Sequence, residues 1–293
     1  MLMTEPKYID VDGVLTRYFD AGKGPPLVLF HGGNLGSGNL AECAVDWELN
    51  FLDLSKNFRV LAVDKLGQGY TENPLSDDKY TMSGTVEHAY GFLRALKLES
   101  PNVVGHSRGG YIVCRLTLDH PEFIGTCVIV DTNTLAPGSP RSAQVLENPP
   151  VPRLSRESQA WIIEHYSFNP NHITQTWLDA ACEVAKLPKS IVASKKMDKE
   201  GLSKKQFMPK LVEDKQRTFA DLRDNGIKRP TLVMWGKNDP TAIVEQGQII
   251  FDLIAAKQRQ AQMCVLNHAG HFCFREQPGL FNSRVSEFVL SAT

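Results

Sequence analysis

The sequence predicts an α/β protein: a mostly parallel sheet flanked by helices, with a helical lid inserted late in the chain. Three observations predict it. Short continuous apolar runs recur at 26–30, 58–64, 102–104, 127–131, 230–236 and 262–266, as expected of strands buried on both faces. Between them lie stretches with helical spacing, and strand-helix alternation argues for parallel pairing. The alternation stops at Pro137 and resumes only near Pro230, so a helical segment is expected between two strands of the sheet.

Taken in order, residues 8–20 alternate apolar and polar around Asp12-Gly13, a hairpin signal that predicts two antiparallel edge strands. The run at 26–30 ends in His31-Gly32-Gly33-Asn34, and the run at 58–64 leads into the glycine-rich turn Leu66-Gly67-Gln68-Gly69. Residues 81–98 carry Met82, Val86, Ala89, Phe92, Leu93 and Leu96 at helical spacing. The strand at 102–104 meets Gly105-His106-Ser107-Arg108-Gly109, and a helix is expected over 110–118. Residues 1–136 and 224–293 are expected to form the core and 137–223 the lid, with helices at 158–165 and 174–185. The lysines from Lys186 to Lys210 read as the solvated face of small helices. Helices at 242–256 and 280–290 flank the last strand.

Composition excludes several classes. The chain has 293 residues, 42% hydrophobic and 22% charged, with a net charge of −1. That balance gives no bulk attraction to nucleic acid or anionic membrane. No run approaches the roughly 18 apolar residues of a membrane span. The first residues lack a basic region followed by an apolar core, so no secretory signal is expected. Six cysteines are scattered without a CxxC pair, which suggests neither zinc nor a disulfide framework. A cytoplasmic protein with reduced thiols, a small-molecule substrate, and no metal or cofactor is the expectation, and self-association is left open.

The chemistry is concentrated at strand ends, where ligands gather in an open parallel sheet. Ser107 sits in a strand, Gly-x-Ser-x-Gly, helix layout, that of a nucleophile elbow. The small flanking residues let the chain turn sharply and push the serine out. A serine hydroxyl needs a base, and histidine titrates in the right range. His271 follows the last strand in Asn267-His268-Ala269-Gly270-His271, and the small Ala269-Gly270 step favours it over His268. A carboxylate must orient the base. Asp239 follows the run at 230–236, and Asp131 is the rival acid at an earlier strand end. Asp239 is preferred because its strand lies nearer the last one in sequence order. Donors for a developing oxyanion are expected from the backbone N–H groups of Arg108 and Gly33. Gly32, Asn34, His106 and Phe272 are candidates for touching substrate.

Together, Phe30-His31-Gly32-Gly33, the serine pentapeptide, Trp235-Gly236-Lys237-Asn238-Asp239-Pro240 and the His271 loop resemble the α/β-hydrolase superfamily over nearly the whole chain. The chain looks most like its meta-cleavage-product branch, which cuts C–C bonds in ring-fission dienoates from aromatic degradation. The resemblance implies an eight-stranded sheet and a Ser107–His271–Asp239 triad. It also marks departures. That branch usually has Asn before the nucleophile, an apolar residue after it and Trp after the histidine, where this chain has His106, Arg108 and Phe272. A carboxylesterase or lactonase is the alternative. A small-molecule receptor on the same fold is a further one, because fold does not fix function.

Overall fold

The computed structural model describes residues 3–136 and 141–292. The expected lid start at Pro137, together with Pro140, lies outside the described residues, as do residues 1, 2 and 293. The strands are β1 (Lys7–Val11), β2 (Val14–Ala21), β3 (Pro26–Phe30), β4 (Arg59–Val63), β5 (Asn102–His106), β6 (Cys127–Val130), β7 (Thr231–Gly236) and β8 (Ala261–Leu266). They form one eight-stranded sheet in the order β1-β2-β4-β3-β5-β6-β7-β8. β2 is antiparallel to β1 and to β4, and every other pairing is parallel. The expected hairpin is present. Asp12 (φ 51°) and Gly13 (φ 87°) both adopt left-handed backbone, the conformation a tight two-residue hairpin turn requires.

The helices are α1 (Glu48–Leu54), α2 (Met82–Ala95), α3 (Arg108–Asp119), α4 (Ser142–Val145), α5 (Arg156–Tyr166), α6 (Gln175–Lys186), α7 (Pro188–Met197), α8 (Met208–Asp224), α9 (Val244–Ala255), α10 (Cys273–Glu276) and α11 (Pro278–Ala292). α4 to α8 lie between β6 and β7. The strand pleat sorts the core into two layers. Val28, Phe30, Val103, Ile129, Val233 and Trp235 face Phe92 of α2, Ile112 of α3 and Ile250 of α9. Their neighbours Leu27, Leu29, Val104, Val128, Leu232 and Met234 face Phe51 of α1 and Phe281 and Val285 of α11. Both sheet faces are covered, which is why these strands read as unbroken apolar runs.

Two differences from the sequence reading have physical causes. The elbow helix begins at Arg108, not at residue 110, because the serine itself occupies the cap position. The lysines from Lys186 to Lys205 lie mostly exposed on short helices, as expected, but beyond them the chain forms a 17-residue helix, α8, that the sequence reading did not place. Only Leu211, Thr218 and Leu222 of α8 are buried, a narrow stripe among charges. α8 packs against α2 and α9. It also bonds to α3, with Tyr111 Oη 3.2 Å from Thr218 Oγ1 and Arg115 donating to Asp221 at 2.7 Å.

Candidate active site

Register brings the site together. Phe30 of β3 pairs with Gly105 of β5, and His106 pairs with Val130 of β6, so the loops after β3, β5 and β6 open at one edge. Ser107 adopts φ 53°, ψ −118°, a backbone state that costs a non-glycine residue about 1–3 kcal/mol. The surroundings hold it there. Ser107 N donates to Val130 O at 2.8 Å. A Cβ on Gly105 would stand 2.1 Å from Gly109 O, and one on Gly109 would stand 2.3 Å from Phe30 O. Only glycine permits that closeness, so the turn packs directly on β3.

At the far strands, His271 Nδ1 lies 2.6 Å from Asp239 Oδ2. Both residues are buried. The other carboxylate oxygen of Asp239 accepts from Thr241 N (2.7 Å), Thr241 Oγ1 (2.9 Å) and Ala242 N (2.9 Å). Donors aimed at a carboxylate stabilise its charged form. The His271 backbone is fixed from both sides. Its N–H donates to Tyr166 O at 2.8 Å, and its carbonyl lies 2.8 Å from His106 Nε2.

The loop after β3 is pinned by His31, fully buried. Its Nε2 accepts from Lys65 N at 3.2 Å and its Nδ1 lies 2.9 Å from Gly32 O, which defines a neutral ring. Burial pushes its pKa well down, and the nearby Lys65 adds to this. Gly33 adopts φ 72° and its carbonyl accepts from Lys65 Nζ at 2.9 Å. Gly33, Ser107, Arg108 and His271 all line a cavity of about 620 Å³.

Of the expected substrate contacts, Asn34 and Phe272 also line this cavity. Gly32 and His106 sit behind its wall, His106 fully buried with Nδ1 lacking a hydrogen-bond partner. The rival acid Asp131 is buried and accepts from Gly236 N at 2.8 Å. Burial first, and the Asp239 carboxylate second, push its pKa well up, which favours its uncharged form. His268 is exposed and stacks on Phe168. Sequence reasoning missed three residues. Thr241 bonds both Asp239 and, at 3.2 Å, His271 Nδ1. Tyr166, at the end of α5, sets its ring edge-on to His271 at 5.3 Å. Glu42 lines the cavity from the loop after β3. Thr241, two residues past Asp239, had a local signal; the others are joined only in three dimensions.

An eight-stranded, mostly parallel sheet carrying a serine on a strained turn between β5 and α3 defines an α/β-hydrolase. The model of the α/β-hydrolase fold family matches residues 25–278, and the chain belongs to that family. It is similar to the 2-hydroxymuconate semialdehyde hydrolase of Pseudomonas sp. (strain CF600), 27% identical over 287 residues, covering 96% of this chain and 92% of that protein. It is 26% identical over 291 residues to the 2-hydroxy-6-oxo-6-(2'-aminophenyl)hexa-2,4-dienoic acid hydrolase of Metapseudomonas resinovorans, covering 97% and 90%. Its fold is similar to that of a meta-cleavage product hydrolase from Pseudomonas fluorescens IP01, with a TM-score of 0.78 over 100% and 99% of the two chains at 23% identity. The protein is thus a hydrolase-fold enzyme whose relatives include the branch its motifs resemble.

Proposed function

We propose that this enzyme is a serine-dependent hydrolase that cleaves a C–C bond in a 2-hydroxy-6-oxo-dienoate. The observation that carries the reading is the convergence of Ser107 and the His271–Asp239 pair on one cavity. The dienol first tautomerises, its 2-hydroxyl proton passing to C5. Ser107 Oγ then adds to the 6-oxo carbon as its proton passes to His271. Asp239 holds the imidazole tautomer and stabilises the imidazolium. The N–H groups of Gly33 and Arg108 receive the oxyanion. Collapse breaks the C5–C6 bond, the electron pair is taken up by the conjugated 2-oxo group, and His271 returns the proton to the departing dienolate. Water, deprotonated by His271, then hydrolyses the acyl-serine and releases a carboxylic acid. The insertion at 137–223 acts as the lid that closes this cavity, and α8 anchors it to the core. A cytoplasmic location and a small-molecule substrate belong to the same reading.

Ester hydrolysis is the second reading. His106 favours it, because the C–C hydrolases that the chain resembles usually carry Asn before the serine, and histidine there is the more esterase-like residue. Comparing kcat/KM on ring-fission dienoates and p-nitrophenyl esters decides between the two. Ser107→Ala is expected to lower kcat on the better substrate by about 10⁴-fold or more. Retention of turnover by this variant rules out the serine mechanism.

A further inference from the structure

Glu42 is a buried acid that the mechanism above leaves unused. Its carboxyl lies over the Gly32–Gly33 backbone. A Cβ on Gly33 would stand 2.2 Å from Glu42 Oε2. A Cβ on Gly32 would stand 2.4 Å from Glu42 Oε1 and 3.2 Å from Ser107 Cβ. The carboxyl, the serine and the proposed oxyanion loop therefore surround one small region, and Glu42, Gly33 and Ser107 line the same cavity.

The titratable and charged groups around Glu42 come from five elements, and one of them, Tyr166 at the end of α5, is a phenol that burial pushes up to about 12 and keeps neutral. Lys65 approaches from the loop after β4, Arg108 from α3, Asp46 from the turn before α1, and His106 from the end of β5. Lys65 Nζ is already engaged with Gly33 O at 2.9 Å. Burial pulls the Lys65 ammonium down to about 7, so it is a weak counter-charge. His106 is held neutral by burial. Arg108 keeps its charge, though burial brings it down to about 10. Burial, then the Asp46 carboxylate, push the Glu42 carboxyl up to about 8 against the pull of Lys65 and Arg108. An anionic carboxylate here would repel an oxyanion. A neutral carboxyl has an O–H to give.

We propose that Glu42 is a further catalytic residue, whose carboxyl O–H donates a hydrogen bond to the substrate oxygen that gains negative charge beside Ser107. The inference rests on the serine-hydrolase reading. A donor aimed at developing charge in a dry site strengthens in the transition state, and losing one donor of this kind typically lowers kcat about 10²- to 10³-fold.

The test uses pH profiles of kcat/KM between pH 6 and 9 on a neutral p-nitrophenyl ester. The raised carboxyl supplies a donor below its pKa and loses it as pH rises, so wild-type activity is expected to fall through about pH 8. Glu42→Gln keeps a donor at the same place. It is expected to stay within about threefold of wild type at pH 7 and to lose that alkaline fall. Glu42→Ala is expected to lose about 10²-fold. Lys65→Met removes a cation that favours the carboxylate, so the fall should move to higher pH; a fall that belonged to Lys65 would vanish. Melting by circular dichroism confirms that each variant is folded. The proposal is overturned if Glu42→Ala stays within about threefold of wild type, or if folded Glu42→Gln either keeps the alkaline fall or is as slow as Glu42→Ala. Turnover by Ser107→Ala would instead sink the underlying reading, so the two failures are distinguishable.

Discussion

Strands β3, β5, β6 and β7 bury nearly every side chain among apolar neighbours, whereas α5 and α6 meet the body through apolar contacts and through polar bonds together. Trp177 of α6 donates to Asp46 at 2.8 Å and lies under the Arg275 guanidinium, 3.9 Å from the ring centroid. Arg275 donates to Glu48 (2.8 Å) and to Asp46 O (2.6 Å), and both side chains of the Arg275–Glu48 pair are fully buried. Glu276 accepts from Gly270 N (2.7 Å), Phe168 N (3.0 Å) and Asn169 N (2.9 Å), joining the end of α5 to the His271 loop. The insertion also buries Ile162, Ile163, Leu178 and Ala181. Apolar burial is non-directional, and many side-chain sets satisfy it. Hydrogen bonds and ion pairs have fixed geometry, so they set where the insertion sits, and removing one member leaves a buried partner exposed to its full desolvation cost.

The largest effect is expected where that cost is greatest. Arg275→Met strands Glu48 inside the protein and should destabilise it by about 3–5 kcal/mol, read by denaturant unfolding. The double variant Arg275→Met with Glu48→Met should recover part of the loss, because the Glu48 charge is removed along with its partner. A single variant as stable as wild type would show that the buried Arg275–Glu48 pair contributes nothing net to the fold. A smaller effect is expected from Glu276→Ala. It removes one acceptor from three backbone donors, at about 1–3 kcal/mol, and should raise KM and lower kcat together because the His271 loop loses its tether. Unchanged kinetics with lowered stability would separate the tether from the site. The smallest effect is expected at the surface. Arg156 and Asp179 pair on the outside of the insertion, and Asp179→Asn should leave Tm unchanged, since exposed pairs contribute little.

The same contrast explains what the sequence made legible. The strands were legible because burial on both faces writes itself as an unbroken run, as in Leu27 to Phe30. The serine turn was legible because Gly105 and Gly109 are demanded by contacts within and beside the pentapeptide. Asp239 and His271 were legible as positions because each directly follows a strand. α8 was not legible, since its buried stripe of Leu211, Thr218 and Leu222 is sparse among charged neighbours. α7 was hidden because it begins at Pro188, directly after α6 ends, with no loop to mark it. Glu42, Tyr166 and Glu276 gave no local signal at all. Their spacings match no recurring motif, and Tyr166 and Glu276 meet partners more than a hundred residues away only once the insertion has folded onto the body.

Where Gly109 rests on the carbonyl of Phe30, two loops lose their independence. Phe30 leads within three residues to Gly33, and Gly109 lies two residues beyond Ser107. The distance from the serine turn to the proposed oxyanion loop is thus gauged by main chain resting on main chain, with no side chain between. Its tolerance is that of a hard-sphere contact. A methyl group at residue 109 would act as a shim, widening the gap between β3 and β5 and detuning both loops at once.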